Sequence, residues 1–205
     1  MAQPSELFAA SGFRVRVVDA LILLLRERGT ARFTLGEVAE AAGVPEGRVR
    51  AAFPDRDALV SELRRVCYDR LAARLTARYF DPDGHPPTRL REGGRAHLEF
   101  ARTNPALYRL LYCDPGDGGI AHIIDVIVPP DSLEALTEGV RRCRAYRGRS
   151  TGKARELAFL LWTTIHGVAV LALDADGPNR SGGKWDQAAQ TLDLLIDLIC
   201  ASGDD

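Results

Sequence analysis

Two short amphipathic segments joined by a tight turn constrain this chain more than any other feature. In TLGEVAEAAG, residues 34–43, Thr34 and Glu37 have the spacing of a capping box, in which side chains satisfy the open amides of a helix start. Leu35, Val38, Ala39 and Ala42 then mark one face, and Gly43 suits the C-terminal turn. The next stretch, GVPEGRVRAAFPDRDAL, residues 43–59, has Pro45 at an expected first helical position, where a missing N–H costs nothing. Pro54 helps to stop that helix. Between the prolines, Val49 and Phe53 form the inward face. Gly47, Arg48 and Ala51 point the opposite way at about 100° per residue, with Arg50 on the flank. A helix of about two turns is not stable alone, so its neighbours must hold it.

The remaining pattern is helical nearly throughout. Val17, Leu21, Leu24 and Leu25 form a stripe within Phe13–Arg28, and Gly29 ends that segment. A longer helix is predicted from Arg56 to about Tyr79, with Leu59, Leu63, Val66, Leu71 and Leu75 as inner positions. Turn residues crowd into DPDGHPPT, residues 81–88, the expected seam of the molecule. Further helices are predicted near Leu90–Arg102, Pro105–Tyr112, Gly119–Ile127, Ser132–Arg147, Ala154–Leu173 and Lys184–Ala201. No strand pattern competes, so the expected fold class is all-α.

Three helices within the first 55 residues, the second and third joined by a Gly-containing turn, read as a helix-turn-helix. In that arrangement the third helix offers its outer face to the DNA major groove. Small residues such as Gly47 and Ala51 let its axis sink inward, while Arg48 and Arg50 can pair with guanine or hold phosphates. Arg56 and Thr34, each at a helix start, are placed for phosphates. Charge agrees with this division. Residues 1–80 carry 13 Arg and no Lys against 10 acidic groups, a surplus of three, although the whole chain has a formal net charge of −1.

At these residues the chain resembles the TetR family of transcriptional regulators. Thr34, Val38, Ala39, Ala42, Gly43, Val44, Gly47, Phe53, Arg56 and Leu59 match the family's pattern, and the match covers about residues 13–63. Pro45 stands where the family usually has serine, and Arg50 where it usually has tyrosine. The resemblance implies a homodimeric DNA-binding domain (residues 1–55) on a ligand-binding and dimerisation domain (residues 56–205), linked by a connecting helix over 56–80. ELAFLLWTTIHGVAVLAL, with Trp162, His166 and Gly167, is similar to the Trp-His-Gly type of TetR C-terminal domain. NPALYRLLY, residues 104–112, is similar to a segment that often lines that domain's pocket.

Trp162 and His166 are four apart and share a helix face. Phe100, Tyr108, Leu111, Tyr112, Trp162 and His166 are therefore the expected lining of a site for a small, mostly apolar effector. For His166 the alternative is a hydrogen-bonded core histidine, and Gly167 is expected to permit close helix packing. The last two helices are expected to pair with their symmetry mates in a homodimer, with Leu195 and Ile199 on the mating face. Four scattered cysteines, without a CxxC pair or a recognisable secretory signal, are expected to be reduced thiols of a cytoplasmic protein. The apolar run 157–173 is short for a membrane span and fits a buried helix.

Other chemistries find little support. Asp81, Asp83 and Gly84 resemble the start of a calcium loop, but no glutamate follows at the required spacing. The four histidines show no metal-ligand spacing, and neither a phosphate loop nor a nucleophile elbow is present. The basic run RRCRAYRGR, residues 141–149, reads as a solvated loop entry. The expectation is a regulator that binds a palindromic double-stranded operator and a small effector, more a repressor than an activator. It is not an enzyme and needs no cofactor, metal or membrane. The competing reading is a binding module on the same scaffold that has lost its DNA contacts.

Overall fold

The computed structural model describes residues 4–30, 32–79, 84–113, 130–175 and 183–201. Among these, the regular elements are α1 (Pro4–Arg28), α2 (Leu35–Ala41), α3 (Glu46–Ala52), α4 (Arg56–Tyr79), α5 (Pro86–Thr103), α6 (Pro105–Tyr112), α7 (Pro130–Tyr146), α8 (Ala154–Ala175) and α9 (Lys184–Ala201). The helix expected at Gly119–Ile127 lies outside the described residues. The chain forms two compact units, one of Met1–Arg70 with Asn104–Ile123 and one of Leu71–Thr103 with Ile124–Asp205.

In the first unit α1 packs against α2 and α6, and α2 against α3. Val17, Val18, Leu21 and Leu25 of α1, Val38 of α2, Val49 of α3 and Phe53 are buried. Each large apolar side chain so enclosed contributes about 1.5–3 kcal/mol relative to exposure. The expected capping box is present: the Glu37 amide donates to Thr34 Oγ1 at 3.2 Å, and the Thr34 amide donates to Glu37 Oε2 at 2.7 Å. Gly43 takes φ +63°, a left-handed conformation that a side chain would strain, and this closes the turn between α2 and α3. Pro45 corrects the expectation by one position. Its ψ of 133° is extended, so it is the residue before the helix, and its carbonyl accepts the first bonds from Arg48 and Val49. Buried Arg64 of α4 donates to the Leu110 carbonyl at 3.1 Å, tying α4 to α6.

In the second unit α5, α7, α8 and α9 pack mutually. A Cβ at Gly94 of α5 would stand 2.7 Å from Leu192 Cδ2, so glycine sets how closely α5 meets α9. Arg91 and Arg95 of α5 pair with Asp193 and Asp197 of α9 along the edge of the same contact. Length and composition would let the α8 segment Ala154–Asp174 cross a membrane, but its inner residues Ala158, Leu161, Ile165 and Ala169 are buried against the bundle.

Three expectations fail here. Cys143 and Cys200 are not thiols; they form a disulfide with Cα atoms 5.7 Å apart, because α7 and α9 bring together residues 57 apart in sequence. Gly167 is exposed, and open space surrounds its missing Cβ, so it serves no close packing within the chain. The basic run 141–149 is not wholly solvated: Arg144 is buried and donates to the carbonyls of Ser150 and Ile199.

Candidate nucleic-acid interface and effector site

Helix α3 is held from beneath and from one end. Val49 and Phe53 are fully buried. Arg14 of α1 donates to the Ala52 carbonyl at 3.0 Å, lies 4.4 Å from the centroid of the Phe53 ring, and is 3.6 Å from Glu62. It thus caps the C-terminal end of α3, covers its main anchor and offers positive charge to its carbonyl end. Nothing in local sequence marks Arg14, because its partner lies 38 residues away.

The opposite face is open. Gly47, Arg48, Arg50 and Ala51 are exposed, and a side chain at Gly47 would meet nothing within 4 Å. The four predicted positions therefore form one accessible strip. The Arg48 guanidinium lies 4.7 Å from the Phe13 ring centroid, which steadies its stem without pairing its charge. Arg50 is held by Glu46, with Nε 2.8 Å and Nη2 2.6 Å from Oε1. Arg56 is half-buried, 3.6 Å from Asp57 and 5.1 Å from the Phe33 ring centroid. The Thr34 hydroxyl is committed to the capping box. Beside it, the Glu37 carboxyl is held below its usual range by the Arg28 guanidinium first, and then by the Thr34 amide.

The predicted effector residues divide between the two units. Tyr108, Leu111 and Tyr112 are buried in the first unit, where the two tyrosine rings stand 4.7 Å apart. Trp162 and His166 of α8 lie in the second unit with ring centroids 4.2 Å apart, and both are half-buried. Phe100 belongs to the same unit and is also half-buried. His97 of α5 joins the pair edge-on, with its ring centroid 4.5 Å from that of His166. Sequence reading passed over His97, although it falls on the buried face of α5 with Leu90, Leu98 and Ala101. Burial pushes the His97 imidazole down to about 4, while burial and then the nearby His97 push His166 well below its ordinary value. Both rings are therefore neutral near pH 7, each with one donor and one acceptor nitrogen. An open cleft of about 440 Å³ lies elsewhere in this unit, lined by Leu171, Ala172, Lys184 and Ala188 among others. Among the described residues, no group of three or more His, Cys, Asp or Glu could hold a metal ion.

A capped two-turn helix, anchored by two side chains and bare on its outer face, defines a helix-turn-helix DNA-binding regulator. A family model described as bacterial regulatory proteins of the tetR family matches residues 17–63, and one described as a tetracyclin repressor-like C-terminal domain matches residues 90–198. The second alone spans more than half of the chain, and the chain belongs to the TetR family of transcriptional regulators. That description does not specify the Trp-His-Gly subtype. The HTH-type transcriptional regulator CymR of Pseudomonas putida is 24% identical over 177 residues, covering 77% of this chain and 78% of CymR. Similar folds are found in a TetR-family regulator from Pectobacterium atrosepticum (TM-score 0.74, 18% identity, covering 98% of this chain and 100% of that one) and in the fatty acid degradation regulator FadR of Bacillus halodurans (TM-score 0.67, 14% identity, covering 91% and 97%).

Proposed function

We propose that this regulator is a one-component repressor, released from a palindromic operator when a small, mostly apolar effector binds its C-terminal part. The observation that carries the reading is the exposed strip Gly47–Arg48–Arg50–Ala51 on a helix anchored by Val49 and Phe53. In a homodimer two such helices would enter successive major grooves about 34–36 Å apart. Arg48 reads a base edge, Arg50 and Arg56 hold phosphates, and Thr34 approaches the backbone beside the start of α2. Residues 1–55 form the DNA-binding part and 56–205 the effector and dimerisation part. The cytoplasm, where the operator lies, is its place of action. The chemistry is binding alone, with no catalytic step or cofactor.

In the second unit, Trp162 offers an aromatic body to the effector, while His166 and His97 offer neutral donor and acceptor groups. Phe100 extends the apolar side. Such a ligand releases DNA only if it binds the DNA-free conformation more tightly. One observation favours the competing reading of a binding module: the Glu46 carboxylate sits on the α3 surface and already pairs with Arg50.

Selection from a random DNA pool with the purified full chain separates the two readings. A palindromic consensus supports the repressor, and no enrichment supports the module. Trp162 emission, followed with apolar compounds during operator release, tests the effector site. If DNA-releasing compounds leave that emission unchanged and Trp162→Ala responds normally, the site lies elsewhere.

A further inference from the structure

The Cys143–Cys200 bridge takes no part in either binding event. We propose that it is a reversible oxidation site, closed by hydroperoxides and opened by dithiols, whose state sets how firmly the end of α9 is held to α7.

Cys143 stands in the last turns of α7 and Cys200 in the last turn of α9, with Cα atoms 5.7 Å apart. Both side chains are buried, as are Val140, Ile196 and Ile199 on the same two helices. Arg144, the residue after Cys143, donates through Nη1 to the carbonyl of Ile199, the residue before Cys200, at 2.8 Å. Its Nε also donates to the Ser150 carbonyl. This second tie joins the same two helix ends and does not depend on sulfur. With the bond open it keeps the two thiols opposed, so closure is intramolecular and fast relative to any pairing between molecules.

The other cysteines do not compete. Neither Cys67 nor Cys113 is disulfide-bonded, and burial pushes the Cys67 thiol up to about 11. A regulator that meets DNA in the cytoplasm works where thiols are kept reduced, and disulfides there are usually transient or sensing. That context makes the bridge one of two states.

The chemistry balances with hydrogen peroxide as oxidant. One thiolate attacks a peroxide oxygen; the O–O bond breaks, giving a sulfenic acid and, after protonation, one water. The second sulfur then displaces hydroxide from the sulfenic sulfur, the S–S bond forms, and the hydroxide takes up the proton of the second thiol as another water. Two thiols have lost two protons and two electrons to the peroxide. A small dithiol such as dithiothreitol restores both by exchange through a mixed disulfide, reaching the buried sulfurs when the last turn of α9 opens. Because α9 also exposes Leu194 and Leu198, the state of the bond reaches an apolar surface outside the bundle.

The test uses the full chain carrying Cys113→Ser, reduced with dithiothreitol and then given one equivalent of hydrogen peroxide. The expected product has lost two hydrogens, yields a peptide joining residues 143 and 200, and returns to dithiol when dithiothreitol is added to the folded protein. Hydrogen exchange over residues 192–201 should be about ten-fold slower in the oxidised form. Cys143→Ser and Cys200→Ala, examined separately, should lose that difference. The comparison between two states of one protein does not depend on either variant folding well. A bond that fails to form, that resists reduction in the folded protein, or that leaves exchange in α9 unchanged overturns the proposal. Operator selection and light scattering on the same samples report independently on DNA binding and assembly.

Discussion

Arg48 and Arg50 stand two residues apart on one exposed strip, yet they have different partners. Arg48 rests on an aromatic ring and Arg50 pairs with Glu46, so on the proposed reading Arg48 would meet a base directly while Arg50 would have to leave Glu46 to reach a phosphate. An exposed pair of that kind is worth at most about 1 kcal/mol, so a phosphate can displace the carboxylate. Arg48→Ala should cost about 1–3 kcal/mol on the preferred operator and relax preference at one base pair. Arg50→Ala should weaken all sequences evenly and flatten the salt dependence by about 0.9 per lost phosphate contact. Glu46→Gln should tighten binding. Fluorescence anisotropy across several salt concentrations measures all three, and an Arg48→Ala with Arg50→Ala double variant of undiminished affinity would remove α3 from the interface. His97 carries a different prediction. Its folded value of about 4 lies below the ordinary 6.5, so the unfolded chain binds the proton more readily. The resulting stability is fully present above pH 6.5 and is lost as pH falls toward 4, about 3 kcal/mol over that window. Denaturant midpoints should drop through it, and His97→Phe should flatten the drop; an unchanged slope would show that His97 does not cause it. The outward arginines were legible in sequence because a helix fixes direction by spacing. Their partners were not: the Phe13 ring under Arg48 comes from another helix, and the choice of Glu46 by Arg50 depends on rotamers.

Helix α3 shows at the scale of one element why so short a segment can carry function. Its seven residues bury only Val49, with Phe53 at its end, and neither propensity nor length would keep it helical alone. Phe53→Ala should therefore cost about 3–5 kcal/mol, enough to unfold much of the first unit. Arg14→Ala removes the donor at the Ala52 carbonyl and the cover over Phe53, and should cost less while weakening operator binding by misplacing α3. Thermal melts with operator titrations separate the two: Phe53→Ala loses both properties, while Arg14→Ala keeps most of its stability. If Arg14→Ala binds the operator normally, its position over α3 is incidental. Helices were legible wherever their periodicity was long or their caps local. The capping box at Thr34 and Glu37, the left-handed Gly43 and the stripe on α9 all act through near neighbours. What joins distant elements left no local mark, whether the Cys143–Cys200 bond or buried Arg144. Pro45 missed by one place because proline suits the residue before a helix as well as its first position.

At the scale of the whole molecule, the second unit leaves an apolar surface that its own bundle does not cover. Phe159, Leu160 and Leu171 of α8 are 46%, 47% and 71% exposed, and Leu194 and Leu198 of α9 are 62% and 58% exposed. Such a patch on two adjacent helices marks an association surface more than scattered surface leucines would. The proposed homodimer would cover it, because α8 and α9 meeting their symmetry mates would make an isologous four-helix contact that closes on itself. The same closure would hold two α3 helices for the two halves of a palindrome. Of the two positions expected on the mating face of α9, Ile199 is buried in the bundle and Leu195 is half-buried, because packing against α5, α7 and α8 turns that side of α9 inward. Leu194 and Leu198, four apart on the open side, are the residues to change. Leu194→Glu with Leu198→Glu should give folded monomers with a normal helical spectrum and much weaker operator binding, since the palindrome then engages one half-site at a time. Ile199→Glu should instead unfold the second unit, because it buries a charge without a partner. Light scattering at micromolar concentration decides the matter: the wild-type chain should have twice its 22.4 kDa mass and the double variant the single mass. A wild-type protein that runs as a monomer at that concentration leaves these leucines without a symmetry mate, and the two-fold operator geometry falls with it.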